Sequence, residues 1–316
     1  MKKRKLGTSD LLVSPLTFGG NVFGWTLDGA ASFKILDAFA EAGFNLIDTA
    51  DSYSRFVPGN NGGESETIIG NWLKKRGNRK DMIIATKLGS DMGNGKKGLS
   101  RKYMKEEVEA SLKRLQTDYI DLYQSHYDDP ETPVSETISA FNDLIKGGKV
   151  RYIGASNLSA ERIKESNDFA HKNNLSPYVS LQPLYNLYDR KKFETEYASL
   201  AKNEPLAVLP YYSLASGFLT GKYRTEADFN KSPRGKGMNK YLNERGSKIL
   251  SAMDEVAKEQ NVQLSQIAIA WLLHKPLVTS AIASATKQKQ LDELMAATSL
   301  NLTGEQMSKL DQASSF

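Results

Sequence analysis

Cysteine is absent from all 316 residues, so disulfides, thiolate metal centres and a cysteine nucleophile are excluded. That absence agrees with a cytoplasmic protein. Histidine is nearly as scarce, with His126, His171 and His274 the whole supply, and no metal site is expected. No apolar run approaches the ~20 residues of a membrane span. The basic N-terminus MKKRKLGTSD is not followed by an apolar stretch, so no signal peptide is expected and the chain is read as starting there, unsecreted. The sequons at Asn157-Leu158-Ser159 and Asn301-Leu302-Thr303 then carry no weight. What remains is ordinary globular material, 40% hydrophobic and 25% charged.

The net charge of +5 is modest and unevenly spread. Gly217 to Lys248 holds eight Lys or Arg against three Asp or Glu, an excess equal to that of the whole chain. A repeated basic stripe, zinc spacing or RNA-binding aromatic motif would point to nucleic acid, and none is present. The segment reads as a solvated loop or as the seat of one phosphate-bearing small molecule.

Eight short apolar runs recur between turn residues: 15–20, 45–50, 82–87, 120–126, 150–156, 179–184, 206–212 and 278–283. Most are continuously apolar, as parallel strands buried on both faces require. Amphipathic helical patterns separate them, among them 31–42, 64–75, 105–115, 134–146, 160–173 and 244–260. Strand–helix alternation without a break in composition predicts an α/β fold, a closed (β/α)8 TIM barrel, as a single domain over 1–316. Ahead of the first run, KLGTSDLLVS predicts a short β-hairpin cap on the barrel floor. The longest step, from the seventh run to the eighth, contains the basic segment and is expected to be functional.

In such barrels the C-terminal strand ends face the active site. Here the second run ends in Asp48, the third in Lys87, the fourth in His126, the fifth in Ser156-Asn157, and the sixth carries Gln182. Tyr53 follows the second run in the loop. A phenol titrates near ~10, too high for proton exchange at neutral pH, and burial raises it. An ammonium ~4 Å away would offset this by roughly three pKa units at an effective dielectric of ~20. Lys87 is the expected cation, kept charged by Asp48, and His126 is expected to orient a carbonyl. Each residue alone has a bland reading, a structural ion pair or a loop aromatic, whereas their complementarity favours a site. His171 and His274 read as structural.

The pieces FNLIDTADSY, GESETIIGNWL, IIATKLG, RLQTDYIDLYQSHYDDP, GKVRYIGASN, LQPLYN and SGFLTGKY occur in order along nearly the whole chain. In them the sequence resembles the aldo-keto reductase superfamily, in the branch that includes bacterial reductases and potassium-channel β-subunits. The resemblance implies an NADP(H)-dependent carbonyl reductase, with NAD(H) possible, and a small-molecule aldehyde or ketone as substrate. It implies a catalytic tetrad of Asp48, Tyr53, Lys87 and His126, with Tyr53 the general acid. Ser156, Asn157 and Gln182 match carboxamide-holding residues, and Tyr211 matches the aromatic that stacks on nicotinamide. Gly20, Ser213, Leu214 and Gly217 are implied cofactor contacts, and Lys222 matches a lysine on cofactor phosphate. Ser284, Thr286, Lys287, Gln290 and Glu293 match the adenosine-binding segment; Leu294 departs from it, standing where an asparagine usually contacts adenine.

Two phosphate motifs fail on their own terms. Around Gly217 and Gly221 the spacing is too short for a P-loop, and Tyr223 stands where Ser or Thr is required. GNGKKG at 93–98 does not open a helix directly and reads as a flexible loop. Two other functions compete with the reductase: a Schiff-base aldolase on Lys87, and a non-catalytic nicotinamide-sensing regulatory subunit docked on a partner. The loops 21–25, 55–62 and 127–131 are expected to shape the substrate site, with Asn21, Phe23 and Trp25 on one wall. Oligomeric state is left open.

Overall fold

The computed structural model describes residues 1–93 and 95–316. Two short antiparallel strands come first, β1 (Arg4–Lys5) and β2 (Leu12–Val13). Eight parallel strands follow: β3 (Leu16–Gly19), β4 (Leu46–Asp48), β5 (Ile83–Leu88), β6 (Ile120–Ser125), β7 (Val150–Ser156), β8 (Tyr178–Gln182), β9 (Ala207–Val208) and β10 (Ala281–Ala283). They lie in sequence order, with β10 beside β3. Val208 pairs with Val278, and the N–H groups of Thr279 and Ile282 donate to Val208 O and Pro210 O, which closes the circle. The expected (β/α)8 barrel is therefore present.

Helices alternate with these strands: α1 (Gly29–Glu41), α2 (Glu64–Arg76), α3 (Arg101–Leu115), α4 (Val134–Lys146), α5 (Ala160–Lys172), α6 (Ala198–Asn203), α7 (Glu244–Gln260), α8 (Leu264–Leu273), α9 (Gln288–Ala296) and α10 (Gly304–Ala313). Side-chain caps fix several starts. Asp28 accepts from Ala31 N, Ser159 from Arg162 N and Asn243 from Gly246 N. Ser100 caps α3, so that helix begins four residues before the expected 105.

Leu6, Leu11 and Val13 of the hairpin are buried against Leu46, Ile83, Leu122 and Val179, so the hairpin plugs the barrel floor as expected. Gly7 makes the turn possible: its φ is +56°, and a Cβ there would lie 2.1 Å from Val179 O. The seventh run is shorter than expected. Regular pairing stops at Val208 because Pro210 has no N–H for the ladder, and the chain continues to Tyr211 with only an isolated bridge to Leu184. Pro183 likewise ends β8 at Gln182. Of the GNGKKG loop, Asn94 lies outside the described residues, and the others belong to no helix or strand. Among the described residues no helix is long and apolar enough to cross a membrane.

Candidate active site

Asp48 ends β4 opposite Ala85 of β5, which puts Lys87 two residues further along the same face. Its side chain turns back to the acid. Lys87 Nζ donates to Asp48 Oδ2 at 2.7 Å, to Thr49 O at 2.7 Å and to Tyr53 Oη at 2.8 Å, which uses all three ammonium protons. The Tyr53 hydroxyl in turn donates to Asp48 Oδ2 at 3.2 Å. Asp48 and Lys87 are fully enclosed, whereas Tyr53 is half-buried and its ring reaches the cavity at the barrel mouth.

The other carboxylate oxygen is also held. Asp48 Oδ1 accepts from Gln182 Nε2 at 2.8 Å and from Gln124 Nε2 at 3.3 Å. Gln182, expected on the carboxamide, lines the cavity but commits this amide N–H to Asp48. Gln124 escaped the sequence reading, although it lies opposite Lys87 in the β5–β6 register.

The expected acidification of Tyr53 by Lys87 is corrected by this geometry. Burial and then the Asp48 carboxylate push the phenol well above its ordinary value. Burial pulls the Lys87 ammonium down, and Asp48 offsets part of that. The carboxylate touches both partners, so it neutralises the ammonium and opposes a phenolate. The proton rests on Tyr53.

His126 follows β6 and is nearly enclosed; its ring lies 6.0 Å from that of Tyr53, edge to face. Burial and the Lys87 charge hold its pKa well below the usual histidine range, so the ring is neutral. Ser52 Oγ donates to Ser90 Oγ at 3.1 Å, and Ser90 Oγ lies 2.9 Å from His126 Nδ1. That chain assigns the Ser90 proton to Nδ1 and the ring proton to Nε2, which can then donate into the cavity. Neither serine was singled out from sequence. His171 faces Glu204 and His274 bonds to Ala270 O, both away from the cavity.

Beside this cluster Asn157, left-handed at φ +53°, donates to His126 O at 2.9 Å and to Ser156 Oγ at 3.2 Å, and accepts from Tyr211 Oη at 3.0 Å. The segment after β9 is also strained: Tyr212, Ala215 and Ser216 have positive φ without being glycine. Gly217 completes that turn at φ +102°, where a Cβ would stand 3.2 Å from Lys222 Nζ.

The cavity, about 690 Å³, runs from Tyr53 and His126 past Ser213, Leu214, Gly217 and Lys222. It continues to Ser284, Thr286, Gln290 and Glu293. Three expected residues are not on its wall. Lys87 lies behind Tyr53, Gly20 packs beneath Ser65 and the Asp48 carbonyl, and Lys287 is the exposed N-cap of α9. Phe23 is a correction too, being fully buried and stacked on Phe18 at 5.3 Å; the aromatic wall is Trp25 against Phe56. Leu294 lines the far end.

The donor set fits an extended nicotinamide dinucleotide. Amide and hydroxyl groups stand next to Tyr53, a lysine stands beside a glycine turn midway, and a helix N-terminus with polar side chains lies at the end. Comparison with known proteins agrees: the model of the aldo/keto reductase family matches residues 15–315. The chain belongs to the aldo/keto reductase family. It is similar to a probable voltage-gated potassium channel subunit beta of Arabidopsis thaliana, 36% identical over 94% of this chain and 91% of that one. To the oxidoreductase YqkF of Bacillus subtilis it is 37% identical, over 98% and 95%. To norsolorinic acid reductase of Aspergillus flavus it is 32% identical, over 96% and 78%. As an aldo/keto reductase the chain is an oxidoreductase that works with a nicotinamide cofactor.

Proposed function

We propose that the whole chain acts as one cytoplasmic domain that reduces aldehydes or ketones to alcohols with NADPH. The contact of Lys87 Nζ with both Asp48 and Tyr53 at the cavity end carries this reading. When bound, the reduced cofactor supplies a hydride to the carbonyl carbon. Asn157, Ser156 and Tyr211 would hold its nicotinamide end, Lys222 its phosphates, and Ser284, Thr286, Gln290 and Glu293 its adenosine end.

The chain's own residues handle the proton. His126 Nε2–H donates a hydrogen bond to the carbonyl oxygen and points it at Tyr53. As negative charge develops on that oxygen, Tyr53 Oη–H transfers its proton there, and the Lys87 N–H already on Oη stabilises the phenolate that is left. The elevated phenol pKa suits this direction, since the acid is loaded at neutral pH and releases its proton only to a strongly basic acceptor.

Lys222, without a carboxylate partner among the described residues, and the exposed Lys287 beside Thr286 supply charge for a 2′-phosphate, which favours NADPH over NADH. A purely regulatory role, suggested by the names of the channel-subunit relatives, does not require the assembled proton donor. An aldolase would need Lys87 Nζ open to substrate, whereas it is enclosed with all its protons engaged. Titration with NADPH and NADH, then an aromatic aldehyde panel followed by loss of reduced-cofactor absorbance, tests the proposal. Turnover with NADPH as the tighter cofactor is expected; cofactor binding with no turnover of any carbonyl would favour the regulatory role.

A further inference from the structure

What His126 offers a carbonyl depends on the ring nitrogen that faces away from it. A histidine tautomer is set by the hydrogen bond its other nitrogen makes, and the partner is often a carbonyl or carboxylate that can only accept. His126 has no such partner among the described residues. Its Nδ1 meets hydroxyls alone, Ser90 Oγ at 2.9 Å and Ser52 Oγ at 3.5 Å. Its backbone is engaged elsewhere, the N–H with Leu88 O and the carbonyl with Asn157 Nδ2. A hydroxyl both donates and accepts, so the tautomer follows from the sense in which the serine chain runs.

The chain can run in two senses. In one, Ser52 donates to Ser90, Ser90 donates to Nδ1, and the ring proton sits on Nε2. In the other every proton points the opposite way, and Nε2 presents a lone pair to the cavity. The Ser52–Ser90 bond, at 3.1 Å, has Ser52 as its donor. Were Nδ1 to donate to Ser90 as well, that oxygen would accept twice and its own proton, on a buried residue, would be left without an acceptor. The first sense leaves nothing unpaired. The local backbone serves the same contact: Gly89, at φ +105°, turns the chain directly ahead of Ser90. Tyr127 stacks on the His126 ring at 4.8 Å and 27°, which holds the plane of the ring while the serines decide its proton.

We propose that Ser90 is a positioning residue for carbonyl reduction and that Ser52 sets its sense: together they hold His126 with its proton on Nε2, and without them the nitrogen that attracts the carbonyl oxygen repels it. This rests on the reductase reading of the same site. In single turnover with NADPH and benzaldehyde, Ser90→Ala is expected to slow the hydride step about tenfold or more, with the Kd for NADPH changed less than about twofold. Ser90→Thr keeps the hydroxyl and recovers most of the rate. Ser52 is close enough to Nδ1 to take over part of the contact, so the double variant Ser52→Ala/Ser90→Ala is slower than Ser90→Ala alone.

Nitrogen-15 NMR of histidine-labelled protein reads the tautomer directly and without turnover. The chain has three histidines, and His126→Gln assigns the signal of interest. The wild type shows Nε2 protonated, Ser90→Ala moves population to the Nδ1–H form, and Ser90→Thr moves it back. A wild-type ring protonated on Nδ1 overturns the proposal by itself, whatever the variants do. So does a Ser90→Ala rate within about twofold of wild type, or a slow Ser90→Ala whose tautomer is unmoved, which assigns the serine to packing. A Ser90→Thr that keeps the Nε2 proton yet is as slow as Ser90→Ala also overturns it. Failure of the reductase reading looks different: no carbonyl consumes NADPH in the wild type, while the tautomer still shifts in Ser90→Ala.

Discussion

The ammonium of Lys87 stands 2.8 Å from the phenol oxygen of Tyr53, yet the phenol holds its proton more tightly than a free tyrosine does. Asp48 resolves the contrast, since it contacts both groups and opposes charge on the phenol. The pH profile of reduction follows. A raised pKa leaves Tyr53 protonated at and below neutrality, and the acid is lost only as pH rises through that elevated value, above ~10. His126, neutral already, adds no inflection near pH 7. The expected rate of the hydride step, measured by rapid mixing, is level from about pH 6 to about 9. A decline centred near neutrality would contradict the assignment of the proton donor.

Tyr53→Phe removes the donor while leaving the ring against Lys87. The expected loss in kcat is about 10²–10⁴-fold, with the Kd for NADPH changed little because the ring still fills its place. Single-turnover kinetics and fluorescence titration separate the two. A variant that keeps most of the rate would show that another group delivers the proton.

The ion pair beneath is also structural. Asp48 and Lys87 share an enclosed contact at 2.7 Å, so removing one leaves the other buried and uncompensated. Lys87→Met and Asp48→Asn are each expected to cost about 3–5 kcal/mol in urea denaturation. The double variant costs clearly less than the sum, because it leaves no orphan charge. Simple additivity would mean that the two groups do not rely on each other for burial.

The four residues of this cluster were legible because barrel topology brings consecutive strand ends together, whatever the loops do. Helices bounded by strong local signals were legible to the residue: α4 starts after Pro133, and α7 runs from its Asn243 cap to a left-handed Asn261. The phenol's pKa direction was not, since it depends on one carboxylate touching two partners. Ser90 carries no local pattern; it reaches the cavity through a loop whose path is set by contacts far along the chain. Phe23 and Trp25 differ by two positions, and only the packing of Phe18 decides which of them is core.

Asp51, three residues past Asp48, supplies a final prediction. Its carboxyl is fully buried, and neither oxygen has a hydrogen-bond partner among the described residues. Burial, then Glu66 and Glu107, raise its pKa well above 3.8. The folded state therefore holds a proton that the unfolded chain releases near ~4, so the stability this group contributes is present below that pH and lost as pH rises through the folded pKa. Asp51→Asn does not titrate. Its stability relative to wild type is expected to improve between about pH 4 and neutrality, by up to about 1.4 kcal/mol per pH unit until the folded pKa is passed. Any cost of the orphaned amide itself shifts the whole curve without changing this slope. Urea denaturation of both proteins at several pH values measures it, and a gap independent of pH would mean that the carboxyl is already ionised in the fold.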